Sequence, residues 1–200
     1  MHGANRLGGN SLSDLLVFGR RAGLAAAKHA SSTPASVIDS AQIDQAERDA
    51  LAPFQRKQGE SPYAIHRDLQ SSMQKLVGIF RNKKDLERSL VEIDKAKERL
   101  AHVSVEGSRL YNPGWHLALD LKSMLTVSEA VALSALARGE SRGAHSRIDF
   151  QKLDQSWGAK NNTIRRDGEA MRLRQENIPE LPDELRTLLA EDKGETARRA

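Results

Sequence analysis

Arg6 and the glycine-bearing run Gly8-Gly9-Asn10-Ser11-Leu12 lie within seven residues of each other near the start of this 200-residue chain, and together they have the types and spacing to do chemistry. The run reads as a tight turn that ends in the N-terminus of a helix. First-turn amides and the helix dipole stabilise negative charge on a nearby atom. Arg6, between Asn5 and Leu7, has no acid close by in sequence. A planar guanidinium so placed suits a carboxylate. The pair therefore suits an anionic small molecule on the arginine side and an electron-rich acceptor on the helix side. Two plainer readings remain open: an ordinary capped helix, and a surface arginine or one paired elsewhere in the fold.

Other chemistries are weaker. Gly3 and Gly8 have the outer spacing of a phosphate loop, but Gly9-Asn10 stands where Lys and Ser/Thr are required, and G-x-G-x-x-G is absent. There is no cysteine, so neither a disulfide framework nor a thiolate metal site is expected, and the six histidines lack ligand spacing. His2, His66, His102 and His116 are read as structural. A net charge of +4 raises nucleic-acid binding, but acids alternate with bases along the chain and aromatics are only 4%, so no nucleic-acid partner is expected. No apolar run reaches the roughly 18 residues of a membrane span, and no signal-peptide pattern is present. The chain is expected to be cytoplasmic, with membrane contact only through a partner.

The elements that must position these residues are helical. Ser11 with Asp14 has capping-box spacing, and Asn10 is an equally good cap. The first helix runs through Leu12, Leu15, Leu16, Phe18, Ala22 and Leu24 to the alanines at 25–27, with Gly19 and Gly23 leaving room for close packing. Such a helix wants burial. Little of this chain is available to bury it, and a turn of this kind normally closes a larger cofactor domain. Residues 31–60 read as a linker with a short helix from Ala41 to Leu51, ended by Pro53. Ser61-Pro62 starts the next helix, with Ile65, Leu69, Met73, Leu76 and Phe80 at helical spacing. Asn82 with Asp85 opens another, striped by Leu86, Leu90, Ile93 and Leu100. Asn112-Pro113-Gly114 precedes a long helix from Trp115 to Ala137, with Leu117, Leu121, Met124, Leu125, Val131 and Leu136.

The fold class is thus mainly α: a turn plus helix (1–30), the linker (31–60), a three-helix antiparallel bundle (61–139), and an irregular tail with short strands (140–200). Strand candidates lie at Asn162–Ile164 and Ala170–Arg174, and Asp183–Leu189 reads as one or two helical turns. Arg142, His145 and Arg147 form a basic knot with Glu140 and Asp149 as partners, read as a turn laced by salt bridges.

The run HGANRLGGNSL, continuing through Asp14-Leu15-Leu16-Val17-Phe18-Gly19-Arg20, closely resembles the end of the FAD domain in succinate dehydrogenase and fumarate reductase flavoprotein subunits. Asn112-Pro113-Gly114-Trp115, the helix after it and ESRGAHSR with Asp149-Phe150 resemble the same family's C-terminal helical domain and tail. Gln151 departs from the pattern, where a proline often follows the aromatic. The resemblance implies interconversion of succinate and fumarate by hydride transfer at flavin N5. It assigns Arg6 to a substrate carboxylate and the amides of Ser11 and Leu12 to the flavin pyrimidine, with Asn10 and Gly9 shaping the turn. No catalytic residue and no metal ligand falls in this chain, because the family's other site residues lie upstream, and the chain alone is expected to be inactive. The implied cofactor is FAD. The implied partners are an iron–sulfur subunit of the same complex, with a membrane anchor reached through it on the cytoplasmic face. An L-aspartate oxidase-like flavoenzyme is an alternative, which Gly9, Ala144 and Ser146 disfavour. A non-catalytic helical binding module is another.

Overall fold

In the computed structural model, residues 8–168 and 170–187 are described, except for the side chain of Asn10. The chain divides into two compact units, 1–153 and 154–200.

The core of the first unit is a three-helix bundle of α3 (Pro62–Leu76), α4 (Lys83–Leu100) and α5 (Pro113–Ala137), each packed against the other two. The expected stripes supply most of it: Ile65 and Leu69 from α3, Leu86 and Ile93 from α4, and Leu121 and Leu125 from α5 are buried. Ala118, Ser128, Ala132 and Ala135 are buried as well, so α5 approaches its neighbours closely along a small-residue line. Val131, expected in the stripe, is 40% exposed, and Ala132 takes the inward place. Asparagines start both α4 and α5: Asn82 as the sequence indicates, and Asn112 with the helix beginning at Pro113, two residues earlier than the expected start at Trp115. Asn82 Oδ1 accepts the Asp85 N–H (2.9 Å) while Asn82 Nδ2 reaches back to the Asp85 carboxylate. Asn112 Oδ1 accepts the Trp115 N–H (3.0 Å) and its Nδ2 holds the Glu106 and Ser108 carbonyls.

Three expectations are corrected. Pro53 does not end its helix: α2 runs Ser40–Gln55 with Pro53 inside and buried. The proline lies near the C-terminal end, where few helical bonds remain to lose. Its own carbonyl accepts the Val105 N–H (3.0 Å), and the indole N–H of Trp115 donates to the Ala50 carbonyl (2.7 Å). Phe80 is not the last residue of α3's stripe. The helix ends at Leu76, and Phe80 lies 73% exposed in β1 (Phe80–Arg81), which pairs in parallel with β2 (Ser146–Arg147). The N-cap position of α1 (Asn10–Ser32) falls on Gly9, at φ 78°, ahead of the two residues that the sequence offered as caps. A left-handed backbone is natural for glycine there.

Helix α1 continues two residues into the expected linker. Its apolar side chains are open: Leu12, Leu15, Leu16 and Leu24 are 57–75% exposed. A Cβ added at Gly19 or Gly23 would meet nothing within 4 Å. The burial that its pattern calls for is therefore not provided by the described residues.

The second unit contains α6 (Gln155–Gly158) and an antiparallel hairpin of β3 (Lys160–Asp167) and β4 (Ala170–Asn177), with Ile164 opposite Leu173. Both strands are longer than the sequence pattern indicates. Gly168 at φ 62° sits in the turn, and a helical turn follows at 183–187.

Candidate functional site

Arg6 lies outside the described residues. Asn10, Ser11 and Leu12 form the first turn of α1. The first amides of a helix have no acceptor four residues back. The Leu12 N–H closes onto the Gly9 carbonyl at 3.1 Å, so any further contact through it is three-centred. Ser11 is half-buried and Leu12 is 68% exposed. On the glycine side the surface is bare, since a Cβ at Gly8 or Gly9 would meet nothing within 4 Å. The sequence thus places Ser11 and Leu12 on an open, apolar-flanked helix start, and a flat apolar ring could approach its backbone.

The basic knot is the opposite kind of place. Arg147 is 1% exposed. Its Nη1 donates to the carbonyls of Ala135 (2.9 Å), Leu136 (3.2 Å) and Arg138 (3.0 Å) at the end of α5. Its Nε and Nη2 make two parallel bonds of 2.8 Å to the Asp149 carboxylate. Asp149 in turn accepts the Lys83 N–H at the start of α4 (2.9 Å). One ion pair thus sets a cation at the negative end of α5 and an anion at the positive end of α4. The Arg147 hydrogen bonds hold the Asp149 carboxyl down at about 2, against the opposing effect of burial. Glu140, fully buried, receives Arg138 Nη1 (2.6 Å) and Arg142 Nε (2.8 Å). Ser141 Oγ donates to the Phe150 carbonyl (2.8 Å) and accepts the Arg147 N–H (2.8 Å).

The partners foreseen for Arg142 and Arg147 are thus the ones present, and the arrangement is a structural lock. Sequence reasoning missed Arg81, whose Nε donates to the Val77 and Gly78 carbonyls at the end of α3 and whose Nη1 meets His145 Nδ1 at 2.9 Å. Its place 64 residues from His145 leaves no local signal. Arg138 was closer to hand, only two residues before Glu140.

Residues 66–179 match the family model described as fumarate reductase flavoprotein C-term. The chain belongs to that family. Relatives point the same way. The chain is 38% identical over 162 residues to the fumarate reductase flavoprotein subunit of Mycobacterium tuberculosis, covering 77% of this chain and 28% of that protein. It is 36% identical over 180 residues to the succinate dehydrogenase flavoprotein subunit of Coxiella burnetii, covering 84% and 29%. It is similar in structure to a chain of the Mycobacterium smegmatis Sdh1 complex in the apo form, with a TM-score of 0.85 and 46% identity over 92% of this chain and 32% of that one. The chain therefore spans less than a third of the length of these family members. They are flavoprotein subunits of multi-subunit oxidoreductases by name, and the mainly helical fold with small sheets is theirs. No helix among the described residues is long and apolar enough to cross a membrane, and no described group of three or more His, Asp or Glu residues could hold a metal ion.

Proposed function

We propose that this chain is the C-terminal part of a flavoprotein subunit of a succinate dehydrogenase or fumarate reductase, and that residues 6–12 form one wall of its active site. The observation that carries the reading is the pairing of the family match over 66–179 with an uncovered apolar helix whose first turn is bare. The residues present fit FAD: Gly8 and Gly9 leave room for a ring against the backbone, and Asn10, Ser11 and Leu12 present the start of a helix. When bound, FAD supplies the acceptor or donor of a hydride. The chain's own work is electrostatic. With FAD bound, the Ser11 and Leu12 amides would face its pyrimidine side and would favour negative charge there. Arg6 is the residue that binds a carboxylate of succinate or fumarate, the role a guanidinium fork suits, and so orients the substrate. The partners that follow are an iron–sulfur subunit taking electrons from the flavin, with membrane anchor subunits reached through it. The assembly lies at the cytoplasmic side of the membrane.

The test is succinate-dependent dye reduction by a fusion of this chain to the FAD-binding part of a related flavoprotein. Arg6→Lys keeps the charge but loses the fork, and the expected result is a fall of about a hundredfold or more. Equal rates for the two proteins would remove Arg6 from the site.

A further inference from the structure

His145 is held at both ring nitrogens. Nδ1 lies 2.9 Å from Arg81 Nη1 and Nε2 lies 3.3 Å from the Arg138 carbonyl oxygen. A guanidinium has only donors to offer, so Nδ1 is the acceptor and carries no hydrogen. The ring's single proton is then on Nε2, where it faces the carbonyl. Only the neutral imidazole in this one tautomer meets both contacts at once, and it is the Nδ1 contact to Arg81 that protonation removes.

The charged groups around it come from every neighbouring element. Arg81 of β1 is pinned by the Val77 and Gly78 carbonyls beyond α3. Arg138 follows α5, and Arg147 stands in β2. Arg142 exchanges two backbone hydrogen bonds with His145 (2.9 and 3.0 Å). The two carboxylates are engaged elsewhere, Glu140 with Arg138 and Arg142 and Asp149 with Arg147 and the Lys83 N–H. A proton on Nδ1 would set an N–H against the Arg81 N–H and place a further cation among three guanidinium groups.

We propose that His145 is a proton-sensitive latch, which as the neutral imidazole ties the 140–150 segment to β1 and to the end of α5, and which on protonation lets that segment open from the bundle. Burial lowers the imidazole pKa most. The Arg138 carbonyl opposes this, while Arg81, Arg147 and Arg138 add to the lowering. The sign follows. An opened segment takes up its proton near the ordinary value of 6.5, and the closed one only at lower pH. The latch therefore holds fully above about 6.5 and weakens as pH falls towards the closed-state value.

The test is amide hydrogen exchange on the full chain from pH 8 to pH 5, corrected for the intrinsic pH dependence of exchange. It follows the amides of Ser141, His145 and Ile148, which bond to the Lys152, Arg142 and Arg81 carbonyls. Their protection is expected to fall by up to about tenfold per pH unit below about 6.5, while Leu121 and Leu125 in α5 keep theirs. His145→Gln offers an amide oxygen to Arg81 and an N–H to the Arg138 carbonyl without titrating, and is expected to flatten the profile. A flat wild-type profile, or an equal slope in H145Q, would overturn the proposal. Should H145Q fail to fold, the wild-type imidazole nitrogen shifts decide. An Nε2–H tautomer with a midpoint below 6.5 supports the latch, whereas an Nδ1–H tautomer or a midpoint at or above 6.5 overturns it.

Discussion

Helix α1 and the 138–150 knot are the two stretches most conspicuous in the sequence, and the fold treats them in opposite ways. The knot is rich in charge yet inward: Glu140 and Arg147 are at most 1% exposed, and the carbonyls at the end of α5 and the first amide of α4 are taken up by side chains. α1 is apolar yet outward, with Leu16 75% exposed. A motif whose partners are local becomes self-satisfied structure. A motif whose complement is not among the described residues stays open, and such exposed apolar surface is the mark of an interaction face.

The sharpest way to break this contrast is Arg147→Met. It leaves Asp149 without its fork and the Ala135 and Leu136 carbonyls without that donor, while the Arg138 carbonyl keeps His145 Nε2. Truncating one side of a buried pair is expected to cost about 3 kcal/mol or more in urea unfolding. A cost below ~1 kcal/mol would show that the knot is ornamental. A smaller effect comes from pH. The Asp149 carboxyl is depressed from 3.8 to about 2, so its contribution is complete above about 3.8 and disappears as pH falls towards 2. That contribution is on the order of 2 kcal/mol. Asp149→Asn is expected to lower stability at pH 7 and to flatten the acid limb of the stability profile. An unchanged acid limb would contradict the pairing. The smallest effect belongs to α1. Leu16→Ser in this chain is expected to change unfolding stability by no more than about 0.5 kcal/mol, because the side chain packs on nothing that would be lost. A cost of about 2 kcal/mol would mean that α1 is part of the bundle's own core.

How much of this could be read from the sequence follows the range of the interactions. The cap at Asn82 and the pairings of Glu140 and Asp149 lie within a few residues of their partners, and the stripes of Ile65, Leu86, Ile93 and Leu121 repeat within their own helices, so all were legible; the cap at Asn112 was read only as a break before the helix. The β1–β2 ladder was not, because it joins two pairs of residues far apart in the chain and neither pair has a periodicity of its own. Arg81 was invisible for the same reason. Pro53 misled because contacts that hold this end of α2, the Val105 amide on the Pro53 carbonyl and the Trp115 indole on the Ala50 carbonyl, come from beyond α4. At α1 the good capping residues Asn10 and Ser11 drew attention from Gly9, whose backbone sets the turn. For the candidate site, Ser11 and Leu12 were placed on a helix start by pattern alone. Their chemical assignment came from resemblance, since nothing local distinguishes a flavin-facing turn from any other.

The most direct measurement of the central claim is hydrogen exchange along α1, in this chain alone and after mixing with the FAD-loaded N-terminal part of a related flavoprotein. The account predicts weak protection over 12–24 in the free chain, rising about tenfold or more in the mixture while the bundle amides of α4 and α5 stay unchanged. Equal protection with and without that part would contradict it, and α1 would then have no face built for a flavin-bearing neighbour.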